Sequence, residues 1–431
     1  MRYCARCMYP ENAKPTIIFD EDGVCSGCRY HESRDTVEVD WEERWEILLE
    51  IVEEAKQIAK ERNNSHDCII PVSGGKDSYF QVWLAKEKLG LNPLLVHFNH
   101  VFNTGAGQYN IRNLLEKSGC DMVEYRAGVE SVRKLARHML KTVGDITWHY
   151  HAGLRVFPMQ VAVQRNIPLL LWGEHGFAEL TGIVSLEDFV EFTRWSVREH
   201  DMRGIDPEDL IGEGEITRAD IAPYIYPSDE ELEKVEVRGI YLSNFLRWDA
   251  KKQTDIVMKE WGFSPVTFER GRTFNLHSKI EDHAQEIHDY LKYLKFGYGR
   301  ATDDASTEVR LQRLSRDEAK AVVKRYDSNT PNSLPTYCEF LGITVDEFYE
   351  LVEPMRDLSI WEKNSEGEWQ VKDAIWKHDD GEPEKRALLD IKQDEHVFNH
   401  ENRNLFYNPE NPPEKTGIVD LDSVSKYFRV N

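Results

Sequence analysis

The chain has 431 residues, 40% hydrophobic and 30% charged, which is enough for two or three domains with a substantial core. A formal charge of −23 argues against nucleic acid as a partner, because proteins that hold duplex or tRNA through phosphates present a basic face, and equally against an anionic membrane surface. No apolar run reaches the roughly 18–20 residues of a membrane span, and Met1-Arg2-Tyr3-Cys4 opens no apolar signal segment, so the expected location is cytoplasmic.

Residues 1–34 read as a zinc-binding lobe. Cys4-x2-Cys7 and Cys25-x2-Cys28 are separated by 17 residues. Each pair sets two thiolates on one tight turn, and in a cytoplasmic chain this pattern indicates a tetrahedral structural Zn²⁺ site rather than disulfides. A redox pair or an iron–sulfur cluster would use the same ligands. Cys68, Cys120 and Cys338 stand singly and read as small buried apolar residues. Residues 35–66 form a helical linker whose stripe of Trp41, Trp45, Leu48, Ile51, Val52, Ala55 and Ile58 marks an amphipathic helix over 40–62.

From residue 67 to 300 the pattern alternates. Strands are predicted at 68–72, 93–98, 121–126, 167–172 and 239–245, and helices at 78–89, 108–118, 130–142 and 152–165. Short apolar strands alternating with helices predict an α/β fold with a parallel sheet covered on both faces. Ligands in such folds sit beyond the carboxyl ends of the strands, so the loops at 73–78, 98–104 and 173–176 should face one crevice. An acidic insertion near 201–236 reads as an irregular segment or lid. Helical periodicity dominates from Asp249 to about Leu358, with one helix running from His277 through Lys295 to Gly297. Residues 301–360 are a helical C-terminal region, and 361–431 a polar extension carrying Trp361, Trp369 and Trp376.

The segment Ser73-Gly74-Gly75-Lys76-Asp77-Ser78 follows the first strand and opens a helix. Two glycines let the backbone approach an anion, while successive N–H groups and the helix N-terminus favour phosphate. Lys76 adds a full charge, Ser73 and Ser78 add hydroxyls, and Asp77 is a candidate Mg²⁺ or water ligand. The spacing is not that of a Walker loop; it resembles the PP-loop of ATP pyrophosphatases, which cut ATP between the α and β phosphates. Glu174-His175, after the strand at 167–172, could bind Mg²⁺, contact an acceptor or move a proton. Lys292, Lys295, Arg300, Arg310 and Arg313 form the best candidate for a polyanion-facing surface away from the loop. His149 and His151, on a predicted loop, have metal-ligand spacing but no evident third partner.

Taken together, Tyr3-Cys4-x2-Cys7, Phe19-Asp20-x2-Gly23-Val24-Cys25-Ser26-x-Cys28, the SGGKDS loop, Trp172-Gly173-Glu174, Lys279-Ile280-Glu281-Asp282 and the run Lys295 to Asp304 resemble the N-acetyl sugar amidotransferase family of bacterial surface-polysaccharide, lipopolysaccharide and nonulosonate pathways. The resemblance covers most of residues 1–350. It implies that ATP adenylates the oxygen of an acetamido group on a nucleotide-linked sugar, and that ammonia displaces AMP to leave an acetamidino group. It implies Lys76, Asp77, Glu174, Lys295 and Arg300 as catalytic residues, with ATP held by residues 73–78. Cys68, Cys120 and Cys338 form no glutaminase signature, and the resemblance suggests a separate glutaminase with a cyclase-like subunit as ammonia source. His175 stands where the family's commoner pattern has Asn. The alternative reading is a tRNA-thiolating PP-loop enzyme, which joins similar cysteine pairs to the same loop.

Overall fold

The computed structural model describes residues 1–36, 39–267 and 270–378; most of the polar extension expected at 361–431 lies outside them. The N-terminal segment carries helices α1 (Ser26–Thr36) and α2 (Trp41–Glu61), the latter capped by Asp40, whose side chain accepts from the N–H groups of Glu42 and Glu43. The alternating region follows as β1 (Cys68–Pro71), α3 (Lys76–Glu87), β2 (Pro93–Asn99), α4 (Gly105–Ser118), β3 (Met122–Arg126), α5 (Val129–Val143), α6 (Trp148–Arg165) and β4 (Leu169–Trp172). The short helices α7 (Gly176–Thr181), α8 (Arg194–Ser196), α9 (Arg218–Ile221) and α10 (Asp229–Val235) precede β5 (Arg238–Tyr241).

The five strands form one parallel sheet in the order β3-β2-β1-β4-β5. Register pairs Ile69 with Leu94 on one side and with Leu170 on the other. β1 and β4 are buried throughout, as near-continuous apolar runs in a doubly covered sheet must be. One face packs against Leu48 of α2, Phe80 of α3, Leu114 of α4 and Val257 of α11 (Ala250–Trp261). The other carries Leu135 and Met139 of α5 and Val156 of α6. The chain steps outward from β1 to β3, then restarts with β4 on the far side of β1. That reversal opens a crevice between the carboxyl ends of β1 and β4, the switch point where such sheets bind ligands.

Three expectations change. The 201–236 insertion is not a loose lid: Leu210, Ile216, Ile221 and Tyr224 are buried in the core beneath α6. No helix begins at His277; α12 starts at Ala284 and ends at Phe296. The Arg270 guanidinium donates to the carbonyls of Asn275, Ser278 and Lys279 at 3.0, 2.5 and 3.0 Å, taking acceptors that a helix would need, and Asp282 accepts from the Ala284 N–H at 2.8 Å. His149 and His151 sit in the first turns of α6 rather than on a loop. Beyond α12 the chain is helical as read: α13 (Arg300–Arg310), α14 (Arg316–Tyr326), α15 (Leu334–Leu341) and α16 (Val345–Val352). Trp361 and Trp369 belong to an antiparallel hairpin of β6 (Trp361–Lys363) and β7 (Trp369–Val371). Among the described residues, no helix is long and apolar enough to cross a membrane.

Candidate active site

β1 ends at Pro71 and α3 begins at Lys76, so Val72-Ser73-Gly74-Gly75 make the whole connection. Gly74 has φ +85°, and a Cβ there would lie 2.7 Å from the Gly107 carbonyl oxygen; only glycine accepts both conditions. The turn is held internally. The Gly75 N–H donates to Ser73 Oγ at 3.2 Å, and Ser78 Oγ donates to the Gly75 carbonyl at 3.1 Å. Gly75 caps α3 with no side chain of its own, leaving the helix N-terminus open toward the crevice.

Acidic side chains converge on this turn. Lys76 Nζ is paired with Asp77. Burial alone would lower the Lys76 pKa, but the charges of Asp77 and Glu174 outweigh it and hold the ammonium charged. Burial, then the charge of Asp77, push the Glu174 carboxyl up to about 7, against the pull of Lys76. Glu281, from the irregular segment before α12, accepts from Ser73 Oγ at 3.2 Å, and its Oε1 would lie 2.9 Å from a Cβ on Gly75. Among the described residues, Asp77 Oδ1 and Glu281 Oε2 are buried oxygens with no hydrogen-bond partner. Unsatisfied buried carboxylate oxygens are costly. Beside a glycine turn at an open helix N-terminus, two such oxygens are the kind of donor a hard divalent cation takes, so the residues present fit Mg²⁺ with a polyphosphate.

A cavity of about 180 Å³ lies over the loop, bounded by residues 71–73 and 75–78, Trp172-Gly173-Glu174, Lys279 and Glu281. It adjoins a larger crevice of about 340 Å³ that also takes in His151, Arg155, His175, Arg203, His288 and Arg300. Lys279 borders both, is exposed, and has φ +55°, a backbone state that a non-glycine residue keeps only where its surroundings impose it. The segment expected at 98–104 lines a third cavity, of about 390 Å³, across Ser73 from the others, with Asn99, Asn103, Glu124 and Arg126.

The structure brings Lys76, Asp77, Glu174 and Arg300 to this region but not Lys295. Lys295 Nζ donates to the carbonyls of Val143 and Gly144 at 3.2 and 3.0 Å, satisfying the C-terminus of α5. Of the five cations expected to share a surface, Arg300 and Arg313 border the larger crevice and the other three do not. Lys292 is bonded to both oxygens of Asp303 at 2.7 Å, Arg313 to Glu308 and Asp249, and Arg310 is 1% exposed. Arg300 reaches the crevice while its guanidinium grips Asp289 at 2.8 and 3.1 Å. Helical spacing could not reveal Asp303, Asp289 or Asp249 as partners, because each is brought in from a different element; Glu308 alone is local, five residues before Arg313. His175 plays a structural part, its Nδ1 accepting from the Ala178 N–H to cap α7. Burial, then the nearby Arg155 charge, lower its pKa to about 4, leaving a neutral ring. Glu281 and Lys279 belong to the Lys279–Asp282 motif, yet nothing in that motif signals that they meet the phosphate turn. Their placement depends on the Arg270 clasp, which no local pattern announces.

The four N-terminal cysteines do come together. All are buried, with Cys4 and Cys28 Sγ 3.8 Å apart and Cys7 and Cys25 Sγ 3.6 Å apart. Four sulfurs at about 2.3 Å from one tetrahedral ion would be about 3.8 Å apart, whereas a disulfide needs about 2.05 Å. The group is therefore spaced to hold a metal ion. Arg310 Nη2 lies 3.5 Å from Cys25 Sγ and 3.8 Å from Cys7 Sγ, offsetting thiolate charge. Arg316 Nη1 donates to the carbonyls of Cys4, at 2.6 Å, and Cys7. A Cβ on Gly27 would collide with Arg310 at 2.4 Å, which accounts for glycine inside the second pair.

The chain is similar to several known proteins. An uncharacterized protein of Methanocaldococcus jannaschii is 25% identical over 156 residues, 33% of this chain and 54% of that protein; the chain thus matches about half the length of that relative. Among solved structures, an NH3-dependent NAD synthetase from Campylobacter jejuni is 10% identical, with a TM-score of 0.26, covering 46% of this chain and 93% of its own. An NMN synthetase from Francisella tularensis is 12% identical, with a TM-score of 0.26, covering 52% and 88%. The U34-tRNA thiolase NcsA from Methanococcus maripaludis, with its [4Fe-4S] cluster, is 15% identical, with a TM-score of 0.21, covering 48% and 73%. Residues 251–375, which supply Lys279, His288 and Arg300 to the crevice and Glu281 to the smaller cavity beside it, match the C-terminal domain of WbpG-like LPS biosynthesis proteins, in keeping with the family resemblance of the sequence.

Proposed function

We propose that the protein is an ATP-dependent, AMP-forming amidotransferase of LPS or related surface-polysaccharide synthesis, acting on an N-acetylated, nucleotide-linked sugar. The observation that carries this reading is the convergence of Asp77, Glu174 and Glu281 on Lys76 in a glycine turn at the sheet's switch point. The turn's N–H groups, Lys76 and the N-terminus of α3 receive the β and γ phosphates. Asp77 and Glu281 would hold Mg²⁺, which would supply positive charge beside the leaving pyrophosphate. The acetamido oxygen attacks the α phosphorus, forming an O–P bond as the bond to pyrophosphate breaks. Preorganised positive charge at the leaving group lowers that barrier. Ammonia then adds to the activated carbon, AMP leaves with the oxygen, and Glu174, titrating near neutrality, takes up the surplus proton. The larger crevice accommodates the acceptor and the cavity across Ser73 the adenosine.

Zinc in the four-cysteine site is a structural element of this proposal. Ammonia comes from a separate glutaminase with a cyclase-like subunit. Cys68, Cys120 and Cys338 lie in apolar cores and border none of the cavities described above, which disfavours the thiolase reading. The test is incubation with ATP, Mg²⁺, ammonium and a panel of diacetamido nucleotide sugars. The expected result is AMP, pyrophosphate and a product about one dalton lighter, as an oxygen becomes NH. Formation of ADP and phosphate, or a sulfur-containing product, would overturn it.

A further inference from the structure

We infer that Asp145, His151 and His288 form a second metal site, one that takes a divalent transition-metal ion and opens onto the larger crevice. The three residues come from three places: the turn between α5 and α6, the first turn of α6, and the first turns of α12. One ligand atom from each lies within 4.8 Å of the other two. His288 Nδ1 is 3.4 Å from Asp145 Oδ1. Two donors each about 2.1 Å from a tetrahedral ion would be about 3.4 Å apart, so this pair is already at ligand spacing.

Thr147 Oγ1 marks where the donors converge. It lies 2.8 Å from Asp145 Oδ1, 2.8 Å from His288 Nδ1 and 3.3 Å from His151 Nδ1. Asp145 is oriented from behind by Arg203, which donates Nε and Nη2 to its Oδ2, both at 3.1 Å, while the Thr147 N–H steadies the ligand oxygen Oδ1 at 2.7 Å. Hydrogen-bonded carboxylates of this kind are usual where the other oxygen meets a metal. The Arg203 charge also repels a dication, which makes the site weaker than the thiolate one and exchangeable.

Ligand type separates this site from the other two. Two imidazoles and one carboxylate suit Zn²⁺, Fe²⁺, Co²⁺ or Ni²⁺, whereas thiolates select softer ions and a carboxylate–phosphate set selects Mg²⁺. Three protein ligands leave coordination positions open, the arrangement of a reactive rather than a structural centre. His151, His288 and Arg203 all border the 340 Å³ crevice, so the open position faces whatever that crevice binds. The inference stands whichever acceptor is correct.

The test uses the full chain and Co²⁺. Titration should show an equivalent beyond the thiolate site, with d–d absorption but no thiolate charge-transfer band. His288→Gln should weaken that equivalent by more than about tenfold and leave the thiolate-bound equivalent untouched. Anomalous scattering from Co²⁺-soaked crystals of the unaltered protein should place an ion bonded to His151, His288 and Asp145. A titration that stops at the thiolate equivalent, an extra equivalent unaffected by His288→Gln, or crystals with no ion at these residues would each overturn the inference.

Discussion

Two adjacent glycines in the phosphate turn should fail in opposite ways when given a methyl group. At Gly74, φ is +85°, and a Cβ would sit 2.7 Å from the Gly107 carbonyl oxygen and 3.0 Å from Ile111. A left-handed alanine costs about 1–2 kcal/mol, and overpacking against backbone that cannot retreat adds about 1–3 kcal/mol. At roughly 2–4 °C per kcal/mol for a domain of this size, Gly74→Ala should lower the melting temperature by on the order of 10 °C. Gly75 is different. Its φ of −83° suits alanine, and the nearest atom to a new Cβ is Glu281 Oε1 at 2.9 Å, the end of a flexible side chain. Gly75→Ala should therefore melt within a few degrees of the unaltered protein. It should nonetheless displace the Glu281 carboxylate and slow AMP and pyrophosphate formation by about 10²–10³, the usual effect of losing one preorganised charge contact. Melting curves and a pyrophosphate-release assay on both variants decide the matter. Normal turnover by Gly75→Ala would remove Glu281 from the site, and a normal melting temperature for Gly74→Ala would contradict the turn geometry.

Glu174→Gln should keep pyrophosphate release but slow amidine formation, with loss of the unaltered protein's rise in rate through pH about 7. Because the folded carboxyl titrates above its ordinary 4.5, its contribution to stability is present below that value and is lost as pH rises through about 7. The variant should thus gain melting temperature relative to the unaltered protein between pH about 5 and 8; a difference independent of pH would refute the assigned environment. Cys4→Ser should release about one equivalent of zinc and destabilise the N-terminal lobe, since thiolate metal binding is folding free energy; unchanged zinc content would be inconsistent with the site. Lys295→Met should cost about 1.5–3 kcal/mol of stability through two lost charge-assisted bonds while leaving the Michaelis constant unchanged, whereas collapse of turnover at full stability would restore Lys295 to the chemistry.

The sheet was legible because its strands are short apolar runs, such as Cys68–Pro71 and Leu169–Trp172, separated by helical periodicity; all five strands stand where expected, with bounds that shift most in the fourth, which starts at Leu169, and the fifth, which runs from Arg238 to Tyr241. The phosphate turn and the four cysteines were legible because their chemistry is local. What sequence could not show is which partner each charge meets. Lys295 and Arg310 read as part of a polyanion-facing surface, yet one seals a helix terminus and the other faces sulfur. His151 lacked a third partner until α12 brought in His288, 137 positions away in a chain numbered to 431. The segment before α12 carries helix-compatible residues, but the Arg270 clasp diverts its carbonyls, and tertiary context overrides propensity.

The grip of Arg316 on the carbonyls of Cys4 and Cys7 joins residues 312 and 309 positions apart. On a ribosome adding about 5–20 residues per second, the cysteine pairs emerge roughly 15–60 s before their clamp exists. During that interval the thiols are open to metal, oxidant or exchange, without Arg310 to balance their charge. Closing so long a loop is also slow relative to local helix formation. The lobe made first is completed among the last, so a ribosome stalled before position 316 would display the four-cysteine segment without the arginine that clamps it.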